Sequence, residues 1–277
     1  MKKLLYLMLC LACFAGCSKD HDDDGKIKIG EDFMEKVSGV EIEMIYVKGG
    51  TFRMGATEEQ EDDAYDREKP VHEVTLSDYY IGKVEVTQGL WEKVMGTTIH
   101  EQRIKAGYSS SSTNGVGSDY PMYYVNWEEA QEFCTRLGQL TGKNYALPTE
   151  AQWEYAARGG VKSRGYKYSG SNTIGNVAWY RDNNSSSTHP VATKQPNELG
   201  LYDMSGNVWE WCSDWYASDY YYDSPQSNPT GPPTGSRRVL RGGGWINFAE
   251  YCRVSSRNHN YPSFRDSYYG FRVVLLL

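Results

Sequence analysis

The chain predicts a single, loop-rich α+β domain, and three observations lead to that reading. Its 277 residues hold 28 glycines and 14% aromatic side chains. Leu, Ile and Val are modest by comparison, a balance suited to loops held by aromatic packing and backbone hydrogen bonds. Two segments carry helical periodicity between capping signals, and the remaining apolar residues fall into short alternating runs separated by long loops.

Lys2 and Lys3 precede an apolar stretch from Leu4 to Phe14. That stretch is too short for a permanent transmembrane helix and reads as a secretory signal. It ends in Phe14-Ala15-Gly16-Cys17, which resembles the lipobox of bacterial lipoproteins apart from Phe14 in place of the usual Leu. The expectation is a signal peptide over 1–16 and lipidation at Cys17, with an ordinary soluble secretory signal as the alternative. Residues 17–40 are expected to be an acidic, flexible tether, because Asp20-His21-Asp22-Asp23-Asp24 offers nothing to a core. Acidic residues after the lipidated cysteine resemble surface-export signals of Bacteroidetes-type lipoproteins; a plain solvated spacer is the other reading. Outer-membrane or cell-surface anchoring follows, with the periplasmic face also open.

The folded domain is expected over 41–277. Glu43–Gly55 alternates around Gly49-Gly50 and predicts a hairpin, while Val71–Leu76 predicts another strand. Thr87 caps a short helix that stops at Gly96. His100–Tyr120, with its run of four serines, reads as an inserted surface loop. Asn126 opens the clearest helix, with Trp127, Ala130, Phe133, Cys134, Leu137 and Leu140 on its apolar face and Gly142 at its end. Thr149-Glu150-Ala151-Gln152 is a capping box and starts a second helix, running to Gly159-Gly160.

Losing Lys2 and Lys3 with the signal takes the formal charge from −7 to −9. So acidic a chain, with no basic stripe, excludes nucleic acid as a natural partner. Of six cysteines, Cys10 and Cys13 leave with the signal and Cys17 is lipidated, so Cys134, Cys212 and Cys252 remain. An odd number in an oxidising compartment allows one disulfide. The three remaining cysteines form no CxxC (Cys10-Leu11-Ala12-Cys13 leaves with the signal), and the five histidines form no HxxxH or HExxH pair.

Two carboxylates, Asp203 and Glu210, flank a turn at Gly206. Such a pair with backbone carbonyls between makes a hard oxygen site suited to calcium, or else two acids satisfied by turn N–H groups. Tyr216, Tyr220, Tyr221 and Tyr222 cluster around a Pro/Gly-rich loop. They suit partner contact, or packing of the loop on its own domain.

Six phrases in order, from Met54-Gly55 through Leu147-Pro148-Thr149-Glu150-Ala151-Gln152-Trp153-Glu154-Tyr155 and Gly206-Asn207-Val208-Trp209-Glu210-Trp211 to Gly270-Phe271-Arg272-Val273, resemble the formylglycine-generating enzyme (sulfatase-modifying factor) family. The resemblance implies a C-type-lectin-like fold. It also implies calcium bound by Asp203, the Gly206 and Val208 carbonyls and Glu210, and a second calcium site of which Asn176 and Val177 match the first half. The Asp182-Asn183-Asn184 run that follows has no unique register on that second site.

Family oxidases bind copper through two cysteines after the glycine turn and place a serine within it. Here Gly244 stands at the serine and Asn247 at the first cysteine, while Cys252 matches the second by spacing from the glycine turn; registering on Arg253 and Arg257 instead makes it the residue before a structural arginine. A single thiol cannot form the dithiolate that selects Cu(I), so copper-dependent oxidation is not expected. The same resemblance brings Cys212 and Cys252 near each other and makes them the expected disulfide, with Cys134 unpaired.

Two functions compete on these residues. One is a membrane-anchored, non-catalytic module or scaffold that binds a protein or glycan partner at the cell envelope. The other is a formylglycine-generating-type oxidase acting on a protein cysteine through a non-standard site.

Overall fold

The computed structural model describes residues 27–108 and 114–277. The signal segment, Cys17, the aspartate run and the serine run lie outside the described residues. Among those described, no helix is long and apolar enough to cross a membrane.

Strands β1 (Phe33–Val37) and β2 (Val40–Val47) form an antiparallel hairpin. Ser38 and Gly39 turn it with φ of 50° and 84°, the left-handed pair that a two-residue turn needs. The expected tether over 17–40 therefore ends too late. Val37 is buried, and the Glu35 carboxylate accepts from Lys143 Nζ at 2.6 Å and Tyr145 Oη at 2.8 Å.

β3 (Gly50–Met54) pairs with β4 (His72–Leu76), whereas β2 pairs with β5 (Tyr79–Gly82). The expected Gly49-Gly50 hairpin is thus absent. Gly49 instead lets the chain cross between sheets, since a Cβ there would lie 2.2 Å from the Leu76 carbonyl oxygen.

Helix α1 (Gln88–Met95) is capped by Thr87 and closed by Gly96 at φ 72°, as the sequence predicts. The presumed loop that follows contains α2 (Ile99–Lys105), started by a Thr98/Glu101 capping box that the serine run had overshadowed. α3 (Trp127–Thr141) runs from the Asn126 cap to Gly142 at φ 71°. Leu140 is 55% exposed, so the apolar stripe ends at Leu137. After β6 (Tyr145–Ala146) comes α4 (Glu150–Ala157) with its Thr149/Gln152 box. The last third supplies β7 (Trp209–Trp215), β8 (Arg238–Arg241), β9 (Arg257–Asn260), β10 (Tyr269–Gly270) and β11 (Val274–Leu276).

A five-stranded sheet has the order β1-β2-β5-β11-β6 and a four-stranded one β10-β7-β8-β9. Successive residues of β5 feed different cores: Tyr80 joins one with Trp91, Phe133 and Phe271, while Tyr79 and Ile81 join another with Trp153. Both faces of that strand are covered, so it reads as a continuous apolar run rather than an alternating one.

Four arginines, Arg241, Arg253, Arg257 and Arg272, are fully buried. Glu150 takes Arg257 at 2.6 and 2.8 Å and Arg241 at 3.1 Å. Glu154 takes Arg241 at 2.5 Å and Glu68 takes Arg253 at 2.7 and 2.8 Å. Removing one member of such a pair strands a buried charge, at a cost of about 3–5 kcal/mol.

Candidate functional site

The glycine turn after β8 docks on a second turn, and the two interlock through the backbone. Gly206 N donates to Gly242 O at 2.8 Å, and Trp245 N to Asn207 O at 2.8 Å. Gly242 and Gly243 have φ of 95° and 77°, and a Cβ on Gly243 would lie 2.7 Å from Cys252 Sγ. The glycines thus meet both a left-handed backbone and a close sulfur.

Asn247 caps this turn. Its Oδ1 accepts from Trp209 Nε1 at 2.8 Å and Gly244 N at 3.1 Å, and its own N–H donates to Gly244 O at 2.9 Å. A Cβ at Gly244 would stand 3.1 Å from Tyr268 Cβ and 3.3 Å from Asn247 Oδ1, so a serine there would crowd the cap. Cys252 is fully buried, with Sγ 3.9 Å from Phe248 O. Burial, and then the Glu250 charge, push its thiol up to about 12, so it stays protonated and unreactive.

Cys134, Cys212 and Cys252 are all free and buried, each in a different apolar cluster. The expected Cys212–Cys252 disulfide is therefore not formed. Cys212 lies on β7 in the α4 core, whereas Cys252 packs with Tyr168 and Val177 under the glycine turn.

Beside the Gly206 turn lies a buried group of acids. Glu210 is bound by Arg272 at 2.6 Å to each oxygen and by Trp153 Nε1 at 2.7 Å. Asp203, at φ 57°, accepts only the Ala192 N–H, at 2.8 Å, and its Oδ1 is buried with no partner. Glu85, which the sequence reading passed over, accepts from Asn207 Nδ2 at 2.7 Å and Val208 N at 3.1 Å. Its signal is a lone acid in the Val84-Glu85-Val86 alternation, directly before the Thr87 cap.

Burial pushes Asp203 up to about 6, and burial with the Asp203 charge pushes Glu85 well above the carboxylate range. Arg272 is the buried cation of this group. An orphaned carboxylate oxygen and surplus negative charge fit a hard cation held by Asp203 and turn carbonyls. Glu210 fits less well, because Arg272 and Trp153 already claim both its oxygens. Among the described residues, no three His, Cys, Asp or Glu side chains converge for a metal.

The other candidates are dispersed. Asn176 is exposed and its carbonyl accepts Gln195 N at 2.9 Å, while the Val177 side chain is buried beside Cys252. Asn184 spends its amide on backbone carbonyls, including Trp245 O at 2.6 Å. The tyrosines do not share a face. Tyr221 is buried, with Arg257 4.1 Å from its ring centroid, and Tyr216 packs 3.9 Å from the His259 ring. Tyr220 is half-buried on the second core and Tyr222 is 72% exposed.

Residues 31–277 match the sulfatase-modifying factor enzyme 1-like domain. The chain is 33% identical to the formylglycine-generating enzyme of Streptomyces coelicolor, covering 82% of this chain and 87% of that protein. It is 31% identical to the chaperone protein LppX of Paenibacillus barcinonensis, covering 77% of this chain and 82% of that one. It is 34% identical to the serine/threonine-protein kinase pkn1 of Chlamydia caviae over 83% of its length but only 37% of the kinase. Among solved structures, Treponema denticola variable protein 1 superposes with a TM-score of 0.76 at 34% identity, covering 88% of this chain and 98% of that one. PvdO from Pseudomonas aeruginosa gives 0.72 at 26% identity, covering 91% and 100%. The α+β, loop-rich, C-type-lectin-like architecture is common to them, and the chain belongs to the sulfatase-modifying factor (formylglycine-generating enzyme) domain family.

Proposed function

We propose that this domain is a non-catalytic member of its family: a lipoprotein module, anchored to the envelope through Cys17, that holds a protein or glycan partner. Asn247 carries the reading. At the position of the first copper-binding thiol it offers a hard amide oxygen, already committed to Trp209 and Gly244. The remaining thiol, Cys252, is buried and protonated. A soft Cu(I) ion needs thiolates, and this strip has none to give. Calcium at the Gly206 turn belongs to the same proposal as a structural ion, held by Asp203 and the carbonyls of Gly206 and Val208.

The test combines oxygen uptake with copper titration on a Cys-x-Pro-x-Arg peptide, using wild type and Asn247→Cys. The expected outcome is no turnover by wild type. Turnover by wild type would instead establish the oxidase. A pull-down from membranes with the Cys17-anchored chain then identifies the partner.

A further inference from the structure

Two arginines flank strand β9 and its neighbours without carboxylate partners among the described residues. Arg67 donates Nε to Arg257 O at 2.6 Å and sits 4.2 Å from the Tyr65 ring centroid. Arg237 sits 5.0 Å from the Tyr261 ring centroid, with Nη2 3.5 Å from the phenol oxygen. Among the described residues, neither forms an ion pair. Tyr216 links them: its N–H donates to Arg237 O at 2.7 Å, its ring lies tilted 3.9 Å from the His259 ring, and Arg257, whose Nη1 donates to Arg67 O at 2.8 Å, sits 5.1 Å from its ring centroid.

His259 completes the group. Its Nδ1 is buried without a partner, and a buried lone pair is tolerated better than a buried orphan N–H, so the neutral ring keeps its proton on Nε2. Burial, then Arg237, Arg67 and Arg257, hold His259 below its ordinary pKa. Arg257 is neutralised by Glu150; among the described residues, Arg67 and Arg237 have no such counter-charge. In a chain of net charge −7, unpaired cations gathered at one place are not a by-product of composition. They are what a bound anion would neutralise.

We propose that Arg67, Arg237 and His259, with the Tyr216 and Tyr261 rings beside them, form a binding site for an oxyanion carried on a glycan, as a sulfate or carboxylate substituent. The guanidiniums supply charge-assisted donors. Tyr261, 51% exposed, supplies an open aromatic face against which the C–H face of a sugar ring can lie. This inference rests on the partner-binding reading above and names the chemistry of the partner.

Calorimetric titration of the full chain tests it with three probes: a chondroitin sulfate hexasaccharide, a neutral chitin hexasaccharide and inorganic sulfate. The acidic hexasaccharide should bind, the neutral one should not, and inorganic sulfate should bind more weakly. Arg237→Gln and Arg67→Gln should each weaken the acidic hexasaccharide at least about tenfold, the scale of one charge-assisted hydrogen bond. If Arg67→Gln fails to fold, Arg237→Gln and His259→Gln decide.

Unchanged affinity in the folded variants overturns the site. Equal affinity for inorganic sulfate and hexasaccharide overturns the glycan assignment. Failure of all three probes, with a partner still recovered by the membrane pull-down, overturns this site while leaving the binding-module reading intact.

Discussion

Asn247 holds the indole of Trp209: Oδ1 accepts Nε1–H at 2.8 Å and the Gly244 amide at 3.1 Å. Trp209 is fully buried, so this contact satisfies a donor that water cannot reach. Asn247→Ala should therefore destabilise the fold by about 1–3 kcal/mol, the cost of an orphaned buried donor. Urea denaturation measures it, and a loss below a few tenths would mean that the cap is dispensable.

The Glu210–Arg272 pair makes a sharper test. Glu210→Ala leaves a buried guanidinium without its carboxylate and should cost about 3–5 kcal/mol, lowering Tm by roughly 6–20 degrees. Replacing both with apolar residues of similar size should restore much of the loss. If the single and double variants melt alike, the pair contributes little.

If calcium sits at the turn as proposed, calcium and pH should act on the Asp203 cluster together. Asp203 is raised from 3.8 to about 6 and Glu85 further, so the cation-free folded state retains protons that the unfolded chain has released. By linkage its stability is full below the unfolded value and falls as pH rises toward 6 and beyond. Calcium favours the ionised acids, so its stabilisation should grow across the same window. Melting with calcium or with a chelator at pH 5 and 7.5 checks this. A calcium effect independent of pH, or one unchanged in Asp203→Ala, would remove the ion from the turn.

Thiol chemistry follows from burial. Cys134 and Cys212 are pushed up by desolvation, as is Cys252. All three should resist a thiol reagent at pH 8 and react together only on unfolding. A protected Cys212–Cys252 peptide in the exported protein would contradict the free thiols.

The proposed anchoring should depend on Cys17. Cys17→Ala should release the protein from the membrane fraction or leave it unprocessed. Its retention after a carbonate wash would point to another attachment.

Much of the scaffold could be read from the chain because it is written locally. Thr87, Asn126 and Thr149 cap helices, and Gly96 and Gly142 end them, through bonds that span three or four residues. What could not be read depends on distant neighbours. The separation of β2 from β3 is set by the Leu76 carbonyl pressing on Gly49, and the roles of Glu85 and Asn247 appear only when residues 38 to 123 positions away arrive. The expected cysteine pair failed for the same reason: the family resemblance brought Cys212 and Cys252 near each other, but the fold assigns them to separate clusters.

The buried arginine pairs also dictate an order of assembly. Arg253 meets Glu68 across 185 positions and Arg257 meets Glu150 across 107, and all four arginines lie in the last 37 residues, from Arg241 to Leu277. Until that segment arrives, Glu68, Glu150 and Glu210 lack the cations that allow them to be buried, whereas Glu154 already has Arg158 at 2.9 Å. Such late, long-range closure makes folding slow. It also keeps the core from completing before the C-terminal segment is in place, which suits the export proposed for this chain.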